Sequence, residues 1–140
     1  MEWMLMPLRR YADFAGRSRR REFWMFYLFN LLCGLALGVI MGIVALVTYS
    51  AGWGEEDMMI ALIPCYLLIL AWSLVLIIPQ LAVTVRRLHD QDKSGWMYLL
   101  VLIPLVGGII IFVFMCLEGT RGPNQYGPDP KGENLAGAFS

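Results

Sequence analysis

Residues Val85 to Trp96 read VRRLHDQDKSGW, a stretch with five charged side chains and the only histidine of the protein. A metal centre needs several clustered ligands, and His89 has only Asp90 and Asp92 beside it, with no cysteine near. A nucleophilic site needs an activated hydroxyl or thiol; Ser94 is the local candidate, and no oxyanion-stabilising signature accompanies it. No catalytic residue, metal ligand or cofactor is therefore expected. These residue types are suited to phosphate: Arg86, Arg87, His89 and Lys93 make a basic loop fit for an anionic lipid headgroup. The cluster GRSRRREFW adds Arg17, Arg19, Arg20 and Arg21 to that expectation. It abuts a long apolar run with no recognition fold before it, so nucleic acid is not an expected partner. Local structure accounts for other residues of the loop. Arg86 and Asp90 stand at i and i+4 and can pair, and Asp92 or Ser94 is placed to cap a following helix.

The elements that must position these residues are apolar and long. Of the 140 residues, 59% are hydrophobic, against about 45–50% in soluble domains, and the mean hydropathy is +0.62. Uncharged windows cover residues 23–54, 58–85 and 94–117, with 32, 28 and 24 residues, and a spanning helix needs about 20. The expected fold class is all-α, a polytopic membrane protein with three transmembrane helices. Its segments are a basic cytoplasmic stretch 1–22, spans 23–49, 58–85 and 96–117, an outer loop 50–57, a cytoplasmic loop 86–95 and an outer tail 118–140. A short interfacial helix is expected within MEWMLMPLRRYADF, starting at Pro7 if proline is to be tolerated. Six basic residues precede the first window, none lie in the first loop, three lie in the second and two in the tail. With the amino terminus inside, nine then face the cytoplasm and two the outer side, as the positive-inside rule requires.

Packing signals lie within the windows. Gly34, Gly38 and Gly42 recur every four residues and line one helix face, a doubled small-xxx-small pattern. They make either a seam between copies or room for a bulky neighbour such as Trp72. Pro79 withdraws a donor from Val75 and should bend the second span, and IPLVGG at 103–108 suggests a kink or a tight contact in the third. Cys33, Cys65 and Cys116 fall in the apolar windows, where a disulfide framework is not expected. No carboxylate lies in any window, which disfavours proton-coupled transport. The Gly- and Pro-rich tail favours turns, and Tyr126 is placed to dock it on the outer ends of the helices.

Four segments, FAGRSRRREFW at 14–24, RRLHDQDKSGW at 86–96, IPLVG at 103–107 and GTRGPNQYGPDP at 119–130, together resemble the bacterial inner-membrane family called domain of unknown function 805. The resemblance implies a small multi-pass protein of the cytoplasmic membrane, with no established activity. Family members carry serine at the position of Arg19, forming a capping box with the acid at Glu22; here the hydroxyl is Ser18, one position earlier. The matching polar residues are Arg17, Glu22, Arg86, Arg87, His89, Asp90, Ser94 and Asn124. The resulting expectation is a non-enzymatic inner-membrane component that binds lipid headgroups or a membrane-protein partner and possesses a surface for self-association. The alternative is a small oligomeric transporter or channel component.

Overall fold

The computed structural model describes residues 2–132, so the last eight residues of the expected tail lie outside the described residues. Helix α1 spans Glu2–Arg9 and runs through Pro7 instead of starting at it. A loop follows, fixed by Arg10, whose Nε and Nη2 donate to Asp13 at 2.8 and 2.6 Å. Helix α2 spans Arg20–Ser50, with Glu22 in its first turn. Helix α3 spans Glu55–His89 and is unbroken at Pro64 and Pro79. Its first turn carries Glu55, Glu56 and Asp57 and its last Arg86, Arg87 and His89, so both ends oppose the helix dipole with charge of the right sign. Both helices are long and apolar enough to cross a membrane, and almost none of their apolar surface is buried within the protein.

The chain forms two compact units. The first comprises the described residues up to 26 together with 78–132, and the second comprises 27–77. In the second unit α2 ends because Gly52 takes a left-handed φ of +71°, a conformation glycine adopts without steric cost. The amides of Ala51, Gly52 and Trp53 there bond back to the carbonyls of Val47, Tyr49 and Thr48. The Trp72 ring lies 6.0 Å from that of Phe29. It does not fill the glycine face: a Cβ built at Gly34, Gly38 or Gly42 meets nothing within 4 Å.

The third apolar window, expected as a span over 96–117 with a kink or tight contact at IPLVGG, is broken at that segment. A 3-10 helix covers Gly95–Leu102, a corner follows, and helix α4 covers Gly107–Cys116. The corner has local causes. Pro104 brings no N–H, Leu105 adopts a left-handed φ of +70°, and the amide of Gly107 bonds back to Ile103. A Cβ on Gly107 would collide with the backbone of Leu100 and Val101, so only glycine lets α4 lie this close to the 3-10 helix. The segment also returns to its start: Gln91 Nε2 donates to the Phe114 carbonyl, and Lys93 Nζ sits 5.2 Å from the Phe114 ring centroid. At about 2.0 Å per residue for a 3-10 helix and 1.5 Å for an α-helix, each arm is about 15 Å long. That is half of a hydrocarbon core of about 30 Å.

Within the first unit the core is small. Phe23 and Phe26 of α2, Ala82, Val83 and Leu88 of α3, and Ile111 and Met115 of α4 are buried. The Trp24 ring meets Phe112 edge-on at 5.7 Å.

Candidate functional site

The site is built where the first turn of α2, the last turn of α3 and the chain after α4 meet. Arg86 is fully buried and its Nη2 donates to Glu22 Oε1 at 3.0 Å. The other oxygen of Glu22 accepts from Ser18 Oγ at 2.7 Å, so Ser18 bonds the acid side chain. Arg87, also fully buried, donates through Nη1 to Asp90 Oδ2. Asp90 Oδ1 accepts from Arg17 Nε at 3.0 Å. The i, i+4 pairing expected of Arg86 with Asp90 is therefore corrected. The helix stops at His89, and Asp90 in the following turn reaches Arg87 and Arg17, while Arg86 turns to α2.

The chain after α4 is held by the same residues. Arg17 Nη2 donates to the Thr120 carbonyl at 2.6 Å and its Nη1 to the Gly122 carbonyl at 2.7 Å. The Thr120 amide donates to the Asp90 carbonyl at 2.8 Å, and Asn124 Nδ2 to the His89 carbonyl at 2.9 Å. Tyr126 stacks on His89, ring centroids 3.9 Å apart and planes within 4°. Gly119 lies so near that a Cβ there would enter the Asp90 carboxylate. The carbonyls that end α4, which have no intrahelical partner, accept from side chains. Arg20 reaches Cys116 at 3.1 Å, and Arg87 reaches Leu117.

Residues 119–126, read as an outer tail, are bonded to Arg17, His89 and Asp90, which were read as cytoplasmic, and Tyr126 docks on that loop. Arg17, Arg86 and Arg87 are 6%, 0% and 0% exposed, so their guanidiniums face carboxylates and carbonyls and not lipid. Arg19 and Arg20 are half-buried and Arg21 is exposed. Lys93 is engaged by Phe114. Asp92 is exposed, with φ +58°, in the turn, and Ser94 is the cap, accepting from the Trp96 amide at 3.4 Å. Gln91, Gly119, Thr120 and Gly122 also belong to the site; they lie within RRLHDQDKSGW and GTRGPNQYGPDP, where no site role was expected of them.

Three cavities adjoin; that of about 350 Å³ is lined by Arg19, Asp90, Gly119 and Thr120, among others. One, of about 410 Å³, is lined by Arg10, Arg17, Arg19, Glu22, Tyr126 and Pro128, among others. Another, also about 410 Å³, is lined by Phe14, Val85, His89, Trp96, Tyr98 and Tyr126, with aliphatic neighbours. At the rim, Arg10 lowers the Asp13 carboxyl below its ordinary range, chiefly by its hydrogen bond.

Long apolar helices carrying a polar lattice at one end define a helical integral membrane protein. The model of the family described as protein of unknown function (DUF805) matches residues 11–128, and the chain belongs to that family. It is 40% identical to the inner membrane protein YhaH of Escherichia coli K12 over 134 residues, covering 94% of this chain and 98% of the relative. It is 41% identical to the inner membrane protein YhaI of the same strain over 131 residues, covering 94% and 97%. No solved structure matches.

Proposed function

We propose that the protein is a non-enzymatic component of the inner membrane that gathers anionic lipid at its cytoplasmic face. In this reading α2 and α3 cross the bilayer, and 95–116 is a hairpin that enters one leaflet and returns. Both ends then share the cytoplasmic side. One observation carries this: all 11 Lys and Arg lie outside residues 27–77, whose only charges are Glu55, Glu56 and Asp57. With both ends inside, the positive-inside asymmetry rises from nine against two to eleven against none. With Arg17, Arg86 and Arg87 taken up internally, headgroup contact falls to Arg19, Arg20, Arg21, Arg121 and Lys131. Each such cation near the surface contributes about 1 kcal/mol.

Reconstitution into bilayers of phosphatidylcholine with a fluorescent phosphatidylglycerol tests this. Energy transfer from the tryptophans should report phosphatidylglycerol enriched around the wild type. The combined change Arg21→Gln, Arg121→Gln and Lys131→Gln should bring the enrichment down toward that of a neutral tracer. Transfer unchanged by the three substitutions would refute the headgroup reading.

A further inference from the structure

His89 is the only histidine of the chain, and neither the ion lattice nor the proposed headgroup contacts use its ring. It lies beyond the uncharged window 58–85, at the end of α3. Its main chain and its side chain hold the same short turn. The His89 carbonyl accepts from Asn124 Nδ2 at 2.9 Å, and its ring carries that of Tyr126. The turn closes through the amides of Asn124 and Gly127, each bonded to the other's carbonyl at 3.0 and 3.1 Å. The Tyr126 amide donates to Asn124 Oδ1 at 2.9 Å.

The ring sits where an added proton is costly. Nδ1 is buried and meets no partner among the described residues, so an N–H formed there would be stranded. No charged side chain lines the aromatic cavity that the ring borders, and its titratable neighbours there are the phenols of Tyr98 and Tyr126. The charges on the surrounding elements are engaged elsewhere. Arg86 holds Glu22, Arg87 and Arg17 hold Asp90, Arg10 holds Asp13, and Lys93 sits over Phe114. On the chain after α4, Asp129 accepts from the Gly122 and Lys131 amides, and Asp92 is exposed. A charged imidazole would thus have no counterion. Burial pushes the His89 pKa below its ordinary value of 6.5, and a bond between the ring and the Gly16 backbone, the smaller effect, offsets this only in part.

We propose that His89 and Tyr126 form an acid-released latch, in which protonation of His89 parts the two rings and frees the turn at 124–127 from the end of α3. An imidazolium is attracted to the face of a phenol ring, but the stack leaves Nδ1 dry, whereas parting gives both ring nitrogens water. Tyr126 lines the cavity bordered by Arg10 and Arg17 as well as the aromatic one, so its departure removes a wall common to both. With the latch closed the ring titrates below 6.5; once open and hydrated it titrates near that value. The closed form is therefore held fully above pH 6.5, and opening rises about tenfold per unit as the pH falls, until it passes the closed-state pKa.

Nuclear magnetic resonance of the full chain in lipid nanodiscs tests this, because a single histidine titrates alone. The wild-type ring should titrate below 6.5, and Tyr126→Ala, which uncovers it, should raise the value toward 6.5. An unchanged value in Tyr126→Ala overturns the latch. Protection of the Tyr126 amide, corrected for intrinsic exchange, should fall about tenfold per unit just below pH 6.5. The Gly122 amide, held by Asp129, should keep its protection over that range. His89→Phe retains a stacking ring and takes no proton, so Tyr126 should stay equally protected from about pH 7 down to about pH 5. Wild-type protection independent of pH, or the same acid loss in His89→Phe, overturns the proposal. So does an equal loss at Gly122, which would mean unfolding beyond the turn. Should His89→Phe fail to fold, the His89 titration in Tyr126→Ala decides alone.

Discussion

Glu22 and Arg86, 64 positions apart in sequence, share one buried bond. A buried ion pair adds little over apolar packing, yet removing one partner strands the other. Glu22→Gln alone should therefore destabilise the protein by about 3–5 kcal/mol, and Glu22→Met with Arg86→Met by clearly less. Thermal unfolding in detergent across the double-mutant cycle measures this; equal losses in the single and double variants would contradict it. Asp129 gives a pH handle on the chain after α4. Its carboxylate accepts from the Lys131 and Gly122 amides at 2.9 and 3.0 Å, and these bonds, Lys131 first, hold its pKa below the ordinary value. A depressed carboxyl pKa contributes stability that is present above the unfolded value, about 3.9, and fades as the pH falls through the folded one. Protection of the Gly122 amide, corrected for intrinsic exchange, should thus hold at neutral pH and drop only in acid. The residue types of this site were readable in sequence, but their partners were not. The i, i+4 rule ties Arg86 to Asp90, and it gives no weight to a carboxylate brought in by another helix. Family resemblance did better, since seven of its matching residues, Arg17, Glu22, Arg86, Arg87, His89, Asp90 and Asn124, do converge.

Helices α2 and α3 were legible because a bilayer demands long uncharged windows, and 23–54 and 58–85 supply them. The window 94–117 passes the same length test, but apolarity does not record whether a chain crosses or turns back. Its break was nevertheless written in IPLVGG: proline withdraws a donor, and Gly107 permits backbone contact. Gly107→Val should open the hairpin, and a crosslink between cysteines placed at Lys93 and Phe114 should then fail to form although it forms in the parent. Gly119→Ala should cost about 1–3 kcal/mol by pushing on the Asp90 carboxylate, read as a lowered midpoint of thermal unfolding. The open glycine face of α2 leaves room for a seam between copies at Gly34, Gly38 and Gly42. Gly38→Leu should abolish dimer crosslinking and leave monomer stability unchanged; lost stability with crosslinking intact would contradict a seam between copies.

At the scale of the molecule, sidedness connects the parts. If residues 119–126 bind Arg17, His89 and Asp90 in the cell as they do here, the chain must cross the membrane an even number of times, and all its cations then lie on one side. The decisive measurement is cysteine accessibility in a variant otherwise free of cysteine, using a membrane-impermeant maleimide on right-side-out spheroplasts. Ala51→Cys, in the turn after α2, should label at once, whereas Ala12→Cys and Gln125→Cys should both label only after permeabilisation. Labelling of Gln125→Cys on intact spheroplasts, with Ala12→Cys still protected, would put the two ends in different compartments and contradict the account.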